Sequence, residues 1–126
     1  EWNDRYAALT HFLVGQLQGP DKAQVAWVNA LTYDMIFTQP VVTEFGDLSV
    51  PVSLIIGTRD RTGPGRGWMR AGVDYEPGRY DRLGKTAAAL IPGAVLYELP
   101  DLGHMPQIEN FDVFTGVLDK ALAGRR

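Results

Sequence analysis

The chain has 126 residues, of which 45% are hydrophobic and 21% are charged, and this balance is typical of one soluble globular domain rather than of a disordered segment. A net charge of −3 gives no general attraction to nucleic acids or acidic membranes, and no apolar run approaches the ~20 residues that span a bilayer. The absence of cysteine excludes disulfides, thiolate metal sites and thiol catalysis, but it leaves the compartment (cytoplasmic, periplasmic or secreted) undetermined.

Residues 1–46 predict a helical segment. From Asp4, a suitable N-cap, to about Leu17, apolar residues recur at helical spacing, and Gly19-Pro20 then interrupts the pattern. A second helix that begins after Asp21 is apolar on two faces. Such a helix usually packs inside a core or forms a wall of a cavity, and we expect one of these two environments for it.

Residues 47–126 change to the pattern of an α/β unit. Residues 50–57 form a continuous apolar run rich in branched side chains and closed by glycine, which predicts a parallel strand buried on both faces. Residues 94–99 predict a second strand, and apolar positions at helical spacing within residues 83–91 predict the helix between them. A final helix is expected over residues 110–121. The order strand, helix, strand predicts a parallel sheet with a crossover helix.

Two residues suited to proton transfer lie in the loops that follow the predicted strands. Asp60 comes three residues after the first strand and His104 five residues after the second. Neighbouring parallel strands lie about 4.8 Å apart and end at the same edge of the sheet, so we expect these two side chains to meet. Gly103 is expected to allow an unusual backbone angle just before His104, and Pro106 to stiffen the exit of the loop.

The chemistry of such a pair is specific. A buried carboxylate that accepts the Nδ1 proton of an imidazole fixes the tautomer of the ring and leaves Nε2 to take up and return a proton. Asp4, Asp74 and Asp101 are rival carboxylates, but the position directly behind a buried strand favours Asp60. The alternative for His104 is a structural role, either capping the last helix or meeting a backbone carbonyl.

Two stretches of the chain, VPVSLIIGTRDRT and LPDLGHMPQIENFDVFTGVLDKAL, resemble the acid and histidine motifs of the α/β-hydrolase fold superfamily. The resemblance covers residues 48–122 and implies the carboxyl-terminal half of that fold. The implied fold class is α/β, with the last two parallel strands of a partial α/β-hydrolase sheet, their crossover and the C-terminal helices. Residues 1–46 are then similar to the helical cap of the family, and residues 47–126 to its core.

The resemblance also implies roles for individual residues. Asp60 would be the acid and His104 the base of a catalytic triad. The cap would place aromatic side chains beside an acyl or hydrocarbon pocket, which gives a candidate substrate pocket of Trp27, Tyr33, Phe37 and Met105.

The nucleophile of the family is missing from the 126 residues. No G-x-S-x-G motif is present, and Ser49 and Ser53 have no flanking glycines and are interpreted as structural. We therefore expect the chain to be inactive by itself. We also expect a missing amino-terminal half or a second chain to complete the sheet, because two parallel strands leave both edges open.

The function that the resemblance implies is that of a serine hydrolase which cleaves an ester or related acyl bond in a small ester-like or apolar substrate. No metal and no cofactor is expected. An aspartate nucleophile would instead make the protein a dehalogenase or an epoxide hydrolase. A further alternative is a non-catalytic fragment that serves as a binding or assembly module. The fold by itself does not decide among these functions.

Overall fold

The computed structural model describes Trp2 and residues 4–124, which form helices and one parallel sheet. In chain order the elements are α1 (Asp4–Gln18), α2 (Lys22–Thr38), a 3-10 helix (Val42–Asp47), β1 (Ser53–Gly57), a second 3-10 helix (Arg66–Trp68), α3 (Tyr80–Leu90), β2 (Val95–Leu99), α4 (Pro106–Glu109) and α5 (Phe111–Ala123). The chain consists of two compact units, Glu1–Pro40 and Val41–Arg126, each defined by the contacts that its residues make with one another.

The first unit consists of α1 and α2, which contact each other. Asp4 is the first helical residue of α1 rather than its N-cap, and the backbone N–H of Gly19 closes this helix by donating to the carbonyl of Gly15 at 2.9 Å. No residue of α2 is buried, so the expected core position of this helix is not realised within the described residues. The physical reason is that one neighbouring helix cannot cover two apolar faces.

The second unit is built on a parallel pair of strands with α3 as the crossover helix, as the sequence predicts. The register runs from Ser53 opposite Val95 to Gly57 opposite Leu99. Both α3 and α5 pack on the two strands. The close contact of α3 depends on Gly84, which is buried, because a Cβ at this position would lie 3.2 Å from Ile56.

The expectation that residues 50–57 form a strand buried on both faces is wrong in two respects. The strand is shorter, Ser53–Gly57, and its apolar side chains are only half-buried. The faces of a sheet are covered by the elements that pack on it, and α3 and α5 cover the side chains of this short strand only in part. Within the described residues the buried apolar side chains include those of Ile91, Leu99 and Ala121, and of these three only Leu99 is fully buried.

The final helix predicted over residues 110–121 corresponds to α5, and a short helix that the sequence does not predict precedes it. Pro106 begins the short helix α4, and α5 starts after Asn110, whose Oδ1 accepts the backbone N–H of Val113 at 3.2 Å. In α5, Ala121 is buried while Phe111 is exposed. The helix therefore presents a narrower apolar face to the strands than its sequence pattern predicts.

We expect the 126-residue chain by itself to unfold over a broad temperature range and to bind a hydrophobic dye, because its core is small and large apolar side chains are exposed. Circular dichroism melting and dye fluorescence of a dilute sample check this expectation. A sharp, cooperative transition from a monomer without dye binding would contradict it.

Candidate active site

Asp60 is a buried carboxylate in the tight turn after β1. Its backbone N–H donates to the carbonyl of Gly57 at 3.1 Å, and this bond closes the turn. The Oδ1 atom of its side chain accepts the backbone N–H of Thr62 at 2.7 Å. Only 8% of the side chain is exposed. The turn therefore holds the carboxylate in one orientation and leaves Oδ2 available to a second partner.

That second partner is His104, in the short loop between β2 and α4. The register pairs Gly57 with Leu99, so the loops after the two strands leave the sheet at the same edge. The Nδ1 atom of His104 lies 2.9 Å from Oδ2 of Asp60. The imidazole is 58% exposed. The structure thus brings together the two residues that the sequence singled out, with the carboxylate inside and the ring at the surface.

The electrostatics of Asp60 determine which nitrogen of His104 carries the proton. Burial disfavours the ionised carboxyl, but hydrogen bonds from Thr62 and His104 outweigh it and hold the pKa of Asp60 below its ordinary value of 3.8. An ionised carboxylate can only accept hydrogen bonds, so Nδ1 must be the donor. The Nε2 atom of the neutral ring is then a proton acceptor, and it has no hydrogen-bond partner among the described residues.

The two loops are held together by backbone contacts. The N–H of Thr58 donates to the carbonyl of Leu99 at 3.1 Å, and the N–H of Arg59 donates to that of Leu102 at 2.9 Å. Gly57 is required for this approach, because a Cβ there would lie 2.5 Å from the carbonyl oxygen of Leu102 and would also clash with that of Gly103. The absence of a side chain at Gly57 therefore allows the loops to meet.

The structural setting of Gly103 differs from the sequence-based expectation. Its φ is not positive, so no unusual backbone angle explains it. Instead, a Cβ at Gly103 would lie 2.6 Å from Oε1 of Glu109, which accepts the N–H of Gly103 at 2.9 Å. Nothing in the sequence singles out Glu109, because a glutamate carries no local signal of a bond to a backbone N–H six positions before it.

Asp101, the rival carboxylate nearest to His104 in sequence, contributes through its backbone. Its φ of 60° is in the left-handed region, which aspartate tolerates better than most residues. Its N–H donates to Oγ1 of Thr58 at 3.2 Å, and its carbonyl accepts from Nε of Arg59 at 2.9 Å. His104 is bonded to Asp60, and Asp101 shapes the loop between β2 and His104.

The candidate pocket residues lie in different parts of the chain. Trp27 and Phe37 are exposed on α2, and the rings of Tyr33 and Phe37 stack with centroids 6.3 Å apart. None of the three lines the cleft of ≈ 410 Å³ in the first unit, whose wall includes His11. Met105 directly follows His104 and is 37% exposed. Their role in substrate binding stays a prediction.

The charged residues around the site are largely paired with one another. A hydrogen bond from Arg79 lowers the pKa of Asp81 to about 2. Four cations between positions 59 and 85 form five ion pairs with carboxylates: Arg59 with Glu109, Arg61 with Asp81, Arg79 with both Glu76 and Asp81, and Lys85 with Glu98. Among residues 2 and 4–124 there is no cluster of three or more metal-binding side chains, and no described helix meets the length and hydropathy of a membrane span.

Comparison with known proteins gives one informative likeness. No family model and no curated protein matches the sequence. The chain is similar to the crystal structure of a probable hydrolytic enzyme from Pseudomonas aeruginosa PAO1, with a TM-score of 0.90 and 43% sequence identity. The match covers 97% of this chain but only 39% of that one. The chain therefore spans about two fifths of the length of the solved protein that it matches.

This likeness defines a useful test protein, which we name the hybrid protein: the Pseudomonas protein in which the matching segment is replaced by this chain. In the hybrid we expect Gly57→Ala to lower the free energy of unfolding by about 2 kcal/mol or more, since the new Cβ would meet two carbonyl oxygens. Urea unfolding measures this loss. Gly116→Ala is the matched control, because a Cβ there meets nothing within 4 Å. Equal effects of the two substitutions would contradict the close approach of the loops.

The lowered pKa of Asp60 predicts a pH dependence of stability. The carboxyl group of Asp60 is protonated more readily in the unfolded chain than in the folded one. The stabilisation by ionised Asp60 is therefore complete above its ordinary pKa of 3.8, and it disappears as the pH falls through the lower pKa of the folded state. The difference in urea midpoint between the hybrid and its Asp60→Asn variant should therefore shrink below about pH 4. A difference that does not change with pH would refute the prediction.

Proposed function

We propose that the chain supplies the acid and the base of a hydrolase active site of the α/β-hydrolase class, with the nucleophile on another segment. The observation that carries the proposal is the 2.9 Å contact between buried Asp60 and exposed His104 at the ends of neighbouring parallel strands. This is the arrangement in which a carboxylate orients an imidazole for proton transfer. The likeness to a probable hydrolytic enzyme supports the general class of hydrolase.

In the proposed reaction, Nε2 of His104 takes the proton of a serine hydroxyl as the serine oxygen attacks the carbonyl carbon of an ester or related acyl group. Ionised Asp60 stabilises the imidazolium that forms. His104 then gives the proton to the leaving oxygen as the bond to the acyl carbon breaks, which leaves an acyl-enzyme. Water hydrolyses the acyl-enzyme by the same proton transfers in sequence. Donors to the oxyanion would have to come from outside this chain.

The open surfaces of the chain support completion by a further segment. In the part of the chain that the structure describes, each strand of the sheet has a free edge, and the two helices of the first unit expose large apolar side chains such as Trp27 and Phe37. In a stable protein, exposed strand edges and large apolar faces are normally covered by another segment. The Pseudomonas chain, of which this chain matches 39%, contains enough additional residues to provide such a cover. Trp27, Tyr33, Phe37 and Met105 are proposed to contact an apolar or ester-like substrate.

We expect the hybrid protein to hydrolyse a short-chain aryl ester and to react with a fluorophosphonate probe, whereas the 126-residue chain alone should do neither. Asp60→Asn should lower kcat by about 10⁴-fold and His104→Ala by a similar factor, because each removes an essential part of the proton transfer. Steady-state kinetics and probe labelling measure these effects.

Asp101→Asn is the matched control, since it makes the same chemical change in a neighbouring loop and asparagine tolerates the φ of 60°. Full activity of Asp60→Asn together with a loss of activity in Asp101→Asn would show that Asp101, and not Asp60, is the acid. Hydrolysis without labelling by the probe, accompanied by turnover of a haloalkane or an epoxide, would instead indicate an aspartate nucleophile. A hybrid that folds but turns over none of these substrates would leave only a binding or assembly role.

A further inference from the structure

Glu109 bonds to both of the loops that carry Asp60 and His104. Its Oε1 accepts the backbone N–H of Gly103, the residue before His104, at 2.9 Å. Its Oε2 accepts from Nη2 of Arg59, the residue before Asp60, at 2.5 Å. One carboxylate in α4 therefore contacts the immediate neighbour of each member of the pair.

From this contact pattern we propose that Glu109 is a positioning residue, which fixes the distance between the Asp60 and His104 side chains through Arg59 and Gly103. The inference rests on the proposed function, because it assigns a role in the proton transfer of the same site. Glu109 does not touch Asp60 or His104 itself, so its effect on chemistry must pass through the loops.

Arg59 is held so that it can serve as this link. Its Nε donates to the carbonyl of Asp101 at 2.9 Å while Nη2 bonds to Glu109, so the guanidinium spans the loop after β2. The Glu109 side chain is only 13% exposed, whereas that of Arg59 is 64% exposed. A partly buried carboxylate that accepts a charge-assisted bond and a backbone N–H keeps a narrower orientation than a solvated surface pair.

The backbone bonds between the loops do not make this link redundant. They join Thr58 to Leu99 and Arg59 to Leu102, and thus fix the loop bases nearest the strands. The step from Leu102 to His104 passes through Gly103, a residue with no side chain to restrain it. Glu109 restrains the backbone at Gly103, directly before His104, by accepting the N–H of Gly103.

The test uses the hybrid protein and the variant Glu109→Gln. Glutamine keeps one oxygen for the N–H of Gly103 but presents an NH₂ group to Arg59 and so loses the charge-assisted bond. We expect kcat to fall about 10- to 100-fold while KM changes less than about twofold, since misalignment of the pair affects the chemical step rather than binding. Glu98→Gln is the matched control, because it removes the carboxylate of a pair with Lys85 that does not contact either loop.

A double-mutant comparison separates positioning from a merely structural role. If Glu109 acts by aligning Asp60 with His104, its loss should have little further effect in an Asp60→Asn background, where that alignment is already useless. A structural role would lower activity by the same factor in both backgrounds. The same loss in both, or no loss in either, would overturn the proposal.

A second readout does not depend on turnover. The Nδ1 proton of His104, which is shared with Asp60, should give a downfield proton NMR signal. We expect Glu109→Gln to broaden or shift this signal and Glu98→Gln to leave it unchanged. An unchanged signal in Glu109→Gln refutes the positioning role even in a protein without activity. Failure of the proposed function would look different, because Asp60→Asn and His104→Ala would then leave kcat unaffected.

Discussion

The parallel pairing of β1 with β2 is the constraint on which the site depends. Because Gly57 lies opposite Leu99, both strands end at the same level and their loops leave the sheet side by side. A shift of the register by one residue would turn every side chain of one strand to the other face and would move one loop by about 3.3 Å relative to the other. The 2.9 Å contact between Asp60 and His104 could not survive such a shift.

The chain distributes its stabilising interactions unevenly. At the edge of the sheet, both oxygens of Asp60 are bonded and the loops share several backbone hydrogen bonds. Elsewhere, large apolar side chains are exposed, and the described part of the chain buries only a small core, which includes Ile91, Leu99 and Ala121. Under the proposed function the chain acts as a segment of a larger protein. Such a segment would have hydrogen-bonded polar groups at the site and apolar surfaces that are open to the remaining segments.

Further hydrogen bonds around Asp60 and His104 support the pair. Asp60 is held by its own turn, its neighbour Arg59 is bonded to Glu109, and Glu109 in turn holds Gly103. The missing side chain at Gly57 makes the close approach of the loops possible, and the missing side chain at Gly103 leaves room for the carboxylate of Glu109. In active sites, such supporting bonds restrict the orientations that a reactive side chain can take, and this restriction is what a proton-transferring pair requires.

The sequence by itself determined the βαβ order, the helical hairpin and the identity of the two residues at the strand ends, because hydrophobic periodicity and glycine breaks are local signals. The resemblance to α/β-hydrolase motifs pointed to the same Asp60 and His104. Only the tertiary structure decided the half-burial of β1, the exposure of α2, and the bonds of Glu109 to Arg59 and Gly103. These features depend on which surfaces meet in the folded chain. The bond of Glu109 to Arg59 joins residues 50 positions apart, as the contact of His104 with Asp60 joins residues 44 positions apart, and no local pattern records such a bond.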